Sequence, residues 1–479
     1  MATLHTPSEQ KTDSKSPAAK KFVIPDIYVI LGAMVLIVAV LSYIMPAGEY
    51  ARTMVNGRST VVPGSFQFIE QTPLSFMQIM SAIPDGMVKA ADVVILTLLV
   101  GGAVGVIRMA GVINYAIDKL LAALGARVSL IMFVLVFIFS LIAAFVGTPE
   151  LGIAYLPIVL PLMLRLGYDT TSAVAIALLG PSVGFAFALT APATIGTSHI
   201  VGQLPMFSGA GYRAIFLVVS TLISIAYLMR YAARVKADPA RSLTPELDAT
   251  LRSKYQAETN AGPVEYTVRQ RIAAVATLVM FIAIIWSILQ FKLGFVPISG
   301  LFMGMAVVCS LIVGQRLNDI CSNYNEAMRG VMVGALICGV ARGVSVALEN
   351  GHILDTMVYY LAQMLSGLPT SLTAIGIWIV EWAFNLVVPS GAGKAVITLP
   401  VFFPLADLVG LHRQVVVLGL QWGDGLANLM QPTEGYFMAI IAMAGLPFGK
   451  WLKFYLPLFA ILGAVCIIGL LAAVSIGLN

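Results

Sequence analysis

Long apolar runs separated by short polar breaks dominate the chain. The first run, within Pro25–Pro46, holds about 20 consecutive uncharged residues, enough to cross a ~30 Å hydrocarbon core as a helix. Comparable runs lie at Val128–Val146, Ala214–Leu228, Ile272–Leu289, Pro297–Val313, Leu372–Val380 with its continuation, and Tyr455–Ile476. Because a transmembrane β-barrel shows short alternating segments instead, the pattern predicts an all-α polytopic membrane protein.

Two hydrophilic stretches interrupt this pattern and predict the topology. The stretch 234–271 is rich in arginine and lysine, as is the polar N-terminal tail, whereas Glu49–Gln71 carries only Arg52 and Arg58 as cations. Cytoplasmic loops of membrane proteins carry the excess of positive charge. We therefore expect the N-terminus and 234–271 in the cytoplasm and Glu49–Gln71 outside.

Composition excludes several classes of protein. The 479 residues are 59% hydrophobic and 11% charged, whereas a soluble domain carries about 25% charged residues. The net charge of +5 is better explained by topology than by nucleic-acid binding, and the four cysteines and four histidines show no metal-binding spacing. The first 24 residues are mostly polar, so we do not expect a cleavable signal.

An internal repeat is the most informative feature of the sequence. "YLPIVLPLMLRLGYD" (Tyr155–Asp169) matches "TLPVFFPLADLVGLHR" (Thr398–Arg413) at a shift of 243 residues, which aligns Pro157 with Pro400 and Pro161 with Pro404. A single proline match arises by chance, but several matched positions in one register indicate a duplication.

Each copy of the repeat contains two polar breaks in the same order. The first breaks are "VGTPELG" (Val146–Gly152) and "PSGAGK" (Pro389–Lys394), and the second are "TAPATIGTSH" (Thr190–His199) and "GDGLANLMQPTEG" (Gly423–Gly435). If the tail and the linker are both cytoplasmic, the two copies enter the membrane from opposite faces. An inverted-topology repeat with Gly/Pro-interrupted helices is typical of secondary transporters.

The predicted organisation follows from these boundaries. It comprises a cytoplasmic tail (1–24), a first transmembrane helix with an external segment (25–73), a first repeat (74–232) with a re-entrant hairpin near 146–165, a cytoplasmic linker (233–271), a transmembrane helix pair (272–316) and a second repeat (317–479) with a hairpin near 388–408. Within the first repeat, "VGGAVG" (Val100–Gly105) is interpreted as a seam for close helix packing.

The breaks are the predicted binding site, since irregular backbone at membrane depth is tolerated only where it lines a cavity or is buried in protein. Broken helices expose carbonyl oxygens that can coordinate Na⁺ and N-termini that attract carboxylates. The candidate substrate- and ion-binding residues are Thr148, Pro149, Glu150, Pro192, Thr194, Thr197, Asn385, Ser390, Gly391, Gly393, Lys394, Asp424, Asn428, Pro432, Thr433 and Glu434. Backbone carbonyls near Gly147, Ser390 and Gly391 are candidates for Na⁺, and no metal site is expected elsewhere.

Lys394 follows a glycine-rich turn, which raises the alternative of a nucleotide-phosphate loop. That motif needs a glycine five residues before Gly393 and Ser or Thr after the lysine, whereas this chain has Val388 and Ala395. A hairpin tip is the better interpretation, with a simple packing turn as the alternative. Because a charge inside a membrane is costly, we expect Lys394 to face an anion or an intramolecular carboxylate, or to gate the passage of an ion.

The acidic candidates also have simpler alternatives. Glu150 is either a carboxylate that binds a coupling cation or a substrate amino group, or a residue near the membrane surface. Asp424 is either a cavity residue or a helix cap, and Glu434 is expected to line a cavity. His199 is expected to be structural rather than a proton carrier. We expect Glu150→Gln and Lys394→Ala to abolish transport without affecting folding.

The chain resembles the YfcC/DcuC-like carriers of the ion transporter superfamily. The resemblance is carried by Gly423–Tyr455, Asn385–Gln414, "PAGEY" (Pro46–Tyr50) and "IAYLPIVLPLMLRLGYD" (Ile153–Asp169). It implies a homodimeric transporter in which a mobile domain with two opposed hairpins moves against a scaffold in an elevator-like motion. Members are associated with four-carbon dicarboxylates, basic amino acids such as arginine and ornithine, and other small carboxylates.

Two departures from the family pattern concern acidic residues. The first tip of family members usually reads "EET", and here it reads Glu150-Leu151-Gly152, so only Glu150 carries over. The residue after "PT" in the last break is usually small, and here it is Glu434. An acid is thus absent from the first tip, and an additional acid is present in the last break.

The sequence therefore predicts an ion-coupled secondary transporter of a dicarboxylate or an amino acid in a bacterial inner membrane. A basic amino acid antiporter is the alternative within this class. No enzyme activity, cofactor or nucleic-acid partner is expected, and the coupling ion is Na⁺ or H⁺. A membrane-embedded enzyme would need a motif such as HExxH or paired aspartates, and the sequence contains neither. A channel would need rings of like residues.

Overall fold

The computed structural model describes residues 27–55, 58–116, 119, 128–257, 266–291, 293 and 295–478, and these are almost entirely helical. In the first half the helices are α1 (Ile27–Ile44), α2 (Phe76–Lys89), α3 (Ala91–Met109), α4 (Val128–Val146), α5 (Gly152–Arg165), α6 (Thr170–Ala186), α7 (Thr197–Gly202), α8 (Ala210–Ala237) and α9 (Pro245–Ala257). Residues 112–116 are also helical. Single turns of other helix types occupy Pro149–Leu151, Pro192–Gly196 and Pro239–Arg241.

The second half continues the helical architecture. Its helices are α10 (Val268–Phe291), α11 (Phe295–Val313), α12 (Leu317–Asn350), α13 (Leu354–Leu365), α14 (Thr370–Phe384), α15 (Gly391–Leu408), α16 (Arg413–Ala427), α17 (Gly435–Met443) and α18 (Phe448–Ser475). Within the described residues, six helices are long and apolar enough to span a membrane, namely α3, α8, α11, α12, α15 and α18. The multi-pass helical prediction is therefore confirmed.

A short β-segment after α1 departs from the all-α prediction. Strand β1 (Gly48–Glu49) pairs with β4 (Gln67–Phe68), and β2 (Arg52–Val55) pairs with β3 (Arg58–Val61), both antiparallel. The sequence between β2 and β3 is Asn56-Gly57, a strong hairpin signal. The hydropathy pattern did not predict this β-segment because its strands are short and polar.

An ion pair anchors this β-segment to the helical body. Arg52 donates to both carboxylate oxygens of Asp355 in α13 at 2.9 Å, and the backbone N–H of Tyr50 donates to the same carboxylate at 3.0 Å. Burial, with a contribution from the Asp355 charge, raises the pKa of Tyr50. The segment therefore has a defined position relative to the second half of the chain.

The two halves present the same series of elements at the shift of 243 residues. Helix α4, a break, α5, α6, a second break, the short α7 and the long α8 correspond in order to α14, a break, α15, α16, a break, α17 and α18. The packing also corresponds, since α6 lies against α4 and α8 while α16 lies against α14 and α18. The opposite orientation of the halves and the re-entrant hairpins stay predictions.

A separate group of helices packs around α12. Helices α1, α2 and α3 contact it, and α11 packs against α3 and α10. The seam is close because of its glycines: a Cβ atom at Gly86 would lie 2.3 Å from the backbone N of Gly343, and one at Gly105 would lie 2.4 Å from the Cβ of Ala327. The packing role predicted for Val100–Gly105 is confirmed.

The linker after α8 is held by a buried carboxylate. Asp248 in α9 accepts hydrogen bonds from the backbone N–H of Thr170 (2.8 Å), the hydroxyl of Thr170 (2.6 Å) and the hydroxyl of Ser242 (2.5 Å). Because Thr170 begins α6 and lies 78 residues before Asp248, the contact fastens the linker to the start of that helix.

The predicted topology can be tested by labelling single cysteines. In a variant whose four native cysteines are replaced by serine, Glu70→Cys and Ser253→Cys place a thiol on an exposed residue of each hydrophilic stretch. An impermeant maleimide added to right-side-out vesicles is expected to label position 70 only, because the positive charge of the linker predicts a cytoplasmic location. The reverse pattern would contradict the assignment.

The close seam predicts opposite effects of one substitution at two glycines. A Cβ atom added at Gly304 in α11 would meet no other atom within 4 Å, so Gly304→Ala is expected to keep or raise stability, by up to about 1 kcal/mol. Gly86→Ala pushes against the backbone of α12 and is expected to cost roughly 1–3 kcal/mol. Thermal unfolding of both variants in detergent measures the difference in stability. Equal unfolding midpoints for the two variants would contradict the close packing of α2 against α12 at Gly86.

Candidate functional site

The four breaks meet one another in the interior of the protein. A Cβ atom at Gly147, whose φ is +76°, would lie 2.9 Å from the Cβ of Ala191. A Cβ at Gly391 would lie 2.7 Å from both the Cγ2 of Thr194 and the Oδ2 of Asp424. Both first breaks therefore contact the second break of the first half, and glycine is required for that approach.

A cavity of about 340 Å³ lies where the breaks converge. Every break contributes to its lining, and the α2–α3 junction, α11 and α12 close the remaining side. The lining includes Gly147, Pro149, Glu150, Ala193, Thr194, Pro389, Ser390, Gly391, Ala392, Asp424, Asn428, Thr433, Glu434, Lys89, Asp92, Phe295, Cys338 and Arg342. Cavities of roughly 300–1,000 Å³ are typical of small-molecule sites.

Two carboxylates enter the cavity from opposite halves. Glu150 follows Pro149 in the short helical turn of the first tip, and its Oε2 is buried without a hydrogen-bond partner among the residues that the structure describes. Glu434 precedes α17, is 8% exposed, and lies within electrostatic range of Glu150 and Asp424. The cavity therefore concentrates carboxyl groups.

Asn428 lies next to Glu434 and connects it to the other break. In the orientation that hydrogen bonding favours, the amide nitrogen of Asn428 lies 3.2 Å from Oε2 of Glu434. The amides of Asn385 and Asn428, both buried, are 2.8 Å apart. This pair joins the two breaks of the second half.

Lys394 faces an intramolecular carboxylate. Its Nζ lies 2.7 Å from Oδ1 of Asp424, and both side chains are essentially inaccessible to solvent. The same Nζ donates to the backbone oxygen of Glu381 at 3.2 Å. Asp424 lies inside α16 rather than at its end, so the helix-cap alternative is wrong.

Residues of both charges border the cavity on the α2–α3 and α12 side. Lys89 and Arg342 line it, and Glu349 lies 2.5 Å from Nζ of Lys89 and 4.0 Å from Arg342. Asp92 lies on the same side. A ligand in the cavity would therefore meet carboxyl groups toward the breaks, and two cations with their acidic neighbours at the opposite border.

Several predicted site residues lie beside the cavity rather than in its lining. Thr148 lines a small neighbouring cavity with Glu150, and Pro192 begins a turn of π-helix. The hydroxyl of Thr197 donates to the carbonyl of Ala193 at 2.8 Å.

The remaining predicted residues support the tips. The backbone N–H of Gly393 donates to the hydroxyl of Ser390 at 3.2 Å, which caps α15. Pro432 lies in the turn before α17. His199 accepts from the backbone N–H of Phe207 at 2.8 Å, which agrees with its expected structural role.

The sequence predictions missed Lys89, Asp92, Arg342 and Glu381. Arg342 and Glu381 are charged residues within long apolar stretches, "GVARGVSVALEN" and "WIVEWAF". Ionisable residues in membrane segments are rare and usually functional, so this signal could have identified both. Neither lies at a Gly/Pro break, which is the feature that located the other site residues.

A scan against protein-family models matches residues 24–475 to the DcuC family, described as the C4-dicarboxylate anaerobic carrier. The chain belongs to this family. It is a membrane transporter, as the sequence resemblance predicted.

Two curated relatives align over nearly their whole lengths. A protein from Escherichia coli described as "Putative basic amino acid antiporter YfcC" is 28% identical, with 95% of this chain and 98% of the relative aligned. An uncharacterized protein from Haemophilus influenzae is 27% identical, with 95% and 97% aligned.

Among solved structures, two transporters show a distant likeness. The YdaH transporter of Alcanivorax borkumensis gives a TM-score of 0.41 at 15% identity, over 95% of this chain and 99% of that chain. MtrF of Neisseria gonorrhoeae, from a class of antimetabolite efflux pumps, gives 0.42 at 18% identity, over 95% and 96%.

The Lys394–Asp424 ion pair predicts that removing Lys394 lowers the stability of the protein. This revises the expectation from the sequence that Lys394→Ala leaves folding unaffected. Lys394→Met leaves the Asp424 carboxylate buried without its cation, which is expected to cost about 3–5 kcal/mol. The double variant Lys394→Met/Asp424→Asn removes both charges and is expected to recover much of that loss. Unfolding of the purified variants in detergent measures both effects, and a double variant no more stable than Lys394→Met would contradict the pairing.

Proposed function

We propose that the protein is a secondary active transporter of a small amino acid that carries both a carboxylate and a cationic group. The charge of the cavity carries this proposal, because Glu150 and Glu434 enter it without a cation bound directly to either within the described residues. An ammonium or guanidinium group of a substrate would supply that missing charge.

The distribution of charge also favours a defined orientation of the substrate. Lys89 and Arg342 border the side opposite the breaks, where the substrate carboxylate would find cations. Arginine side chains bind carboxylates with two parallel hydrogen bonds. A zwitterion or a basic amino acid therefore matches both ends of the cavity.

A four-carbon dicarboxylate matches the charge of the cavity less well. It would bring two further negative charges next to Glu150, Glu434 and the paired Asp424, and like charges in close contact are costly. The family is described as a C4-dicarboxylate carrier, whereas the E. coli relative is described as a putative basic amino acid antiporter. The charge of the cavity favours a basic amino acid.

We further propose that transport uses an elevator-like motion within a homodimer in the inner membrane. The helices around α12 would form the scaffold, and α4–α8 with α14–α18 would form the mobile domain. The position of the cavity between these two groups supports the division, because a substrate held there would contact both. The N-terminus would be cytoplasmic.

Uptake by proteoliposomes tests the substrate. Arginine and ornithine are expected to enter or exchange, whereas succinate and a short fatty acid are not, each measured with and without a Na⁺ gradient. Uptake of succinate alone would overturn the charge argument. A wild-type protein that moves none of these compounds would remove the substrate claim.

Substitution of a cavity acid tests where the substrate binds. Glu434→Gln and Glu150→Gln are each expected to lower arginine uptake by about 30-fold or more, because losing one partner of a buried charge pair costs about 2–5 kcal/mol. Glu246→Gln, at an exposed position of α9, is the matched control and should transport like wild type. Wild-type uptake by both cavity variants would place the substrate elsewhere.

A further inference from the structure

Glu381 is a buried carboxylate that the cavity does not reach. It lies in α14 with 0% exposure, and its Oε1 accepts a hydrogen bond from the hydroxyl of Thr398 at 2.5 Å. Its Oε2 has no hydrogen-bond partner among the described residues. An unpartnered, fully buried carboxylate oxygen needs an explanation.

The charged groups that face Glu381 come from two neighbouring helices. Helix α15 contributes Lys394, and α16 contributes Asp424. The close approach of α16 depends on Gly423, where a Cβ atom would lie 3.1 Å from the Cβ of Glu381. These three side chains, Lys394, Asp424 and Glu381, form what we call the buried triad.

The other elements packed against α14 supply no charge to Glu381. In helix α18, Phe459 packs against Trp382 of α14. The hydroxyl of Tyr455 donates a hydrogen bond to the carbonyl of Leu426. The two lysines of this helix, Lys450 and Lys453, are exposed. Asp355 of α13 is held by Arg52. Among the described residues, the triad is therefore electrically isolated from these groups.

The triad contains two acids and one base. With all three ionised, a net negative charge would remain in a region closed to solvent, which is strongly unfavourable unless it is neutralised. No group of three acidic, histidine or cysteine residues that could hold a metal ion occurs in the described parts of the chain. A metal cation at Oε2 would also lie close to the Lys394 ammonium, so a proton is the better neutralising ion.

We propose that Glu381 is the proton-binding site of this transporter, and that Lys394 switches between Asp424 and Glu381 as the proton binds and leaves. This inference rests on the proposed function. The observed arrangement, in which Lys394 pairs with Asp424, corresponds in this proposal to the protonated form of Glu381.

The proton leaves Glu381 by way of Asp424 to water in the open cavity that Asp424 lines, and its loss reverses the pairing. The Glu381 carboxylate then attracts the Lys394 ammonium, which already lies 3.2 Å from the backbone oxygen of Glu381. Asp424, which lines the cavity, becomes free to bind the cationic group of a substrate. Because a proton on Glu381 and a cation at Asp424 exclude each other, the device exchanges protons for cationic substrate.

Infrared spectroscopy of the reconstituted full-length protein tests the protonation state without any substrate. The wild-type minus Glu381→Gln difference spectrum at pH 7 is expected to contain the C=O stretching band of a protonated carboxylic acid. The spectrum for Glu246→Gln should lack it, because an exposed glutamate is ionised at that pH. A folded Glu381→Gln variant that loses no such band would overturn the proposal.

Glu381→Asp keeps the test decisive if Glu381→Gln does not fold. This variant retains an acid on a shorter side chain, so the protonated band is expected to shift in frequency. An unchanged band would assign it to another carboxyl group and overturn the proposal.

Transport measurements test the coupling separately. Glu381→Gln is expected to lose arginine counterflow as well as accumulation driven by a pH gradient, because its neutral amide, like the protonated acid, leaves Lys394 paired with Asp424. Accumulation equal to wild type would overturn the proposal. If the wild-type protein transports no arginine, the proposed function fails, while the infrared result still decides whether Glu381 holds a proton.

Discussion

Backbone groups released by a broken helix inside a membrane must find partners within the protein, and this constraint organises the centre of the molecule. The four breaks meet this demand by converging. Gly147 and Gly391 allow the first breaks to contact the second break of the first half at distances that no side chain would permit. The cavity is the space that remains between them, so its position follows from the way the breaks pack.

The same convergence determines how charge is distributed. Lys394 and Asp424 are inaccessible and pair with each other, while Glu150 and Glu434 enter the cavity. A buried pair contributes little net stability compared with apolar residues, but removing one partner is strongly destabilising. We therefore propose that charges in such positions serve substrate binding and, with Glu381, ion coupling rather than stability.

Much of the fold was predictable because hydropathy and repetition are local properties of the chain. The 243-residue shift correctly located corresponding breaks, and the glycines of Val100–Gly105 correctly indicated a packing seam. The β-segment was missed because its strands are short and polar. Glu381 and Arg342 were missed because a charge within a continuous helix produces no break in the apolar pattern.

The sequence by itself determined that the protein spans a membrane, that its two halves are related, and which polar segments interrupt its helices. These conclusions need only the spacing and type of neighbouring residues. Only the tertiary structure decided that Lys394 faces Asp424 instead of a ligand, and that Lys89 and Arg342 border the cavity. Partners so distant along the chain are selected by helix packing, which no local pattern specifies.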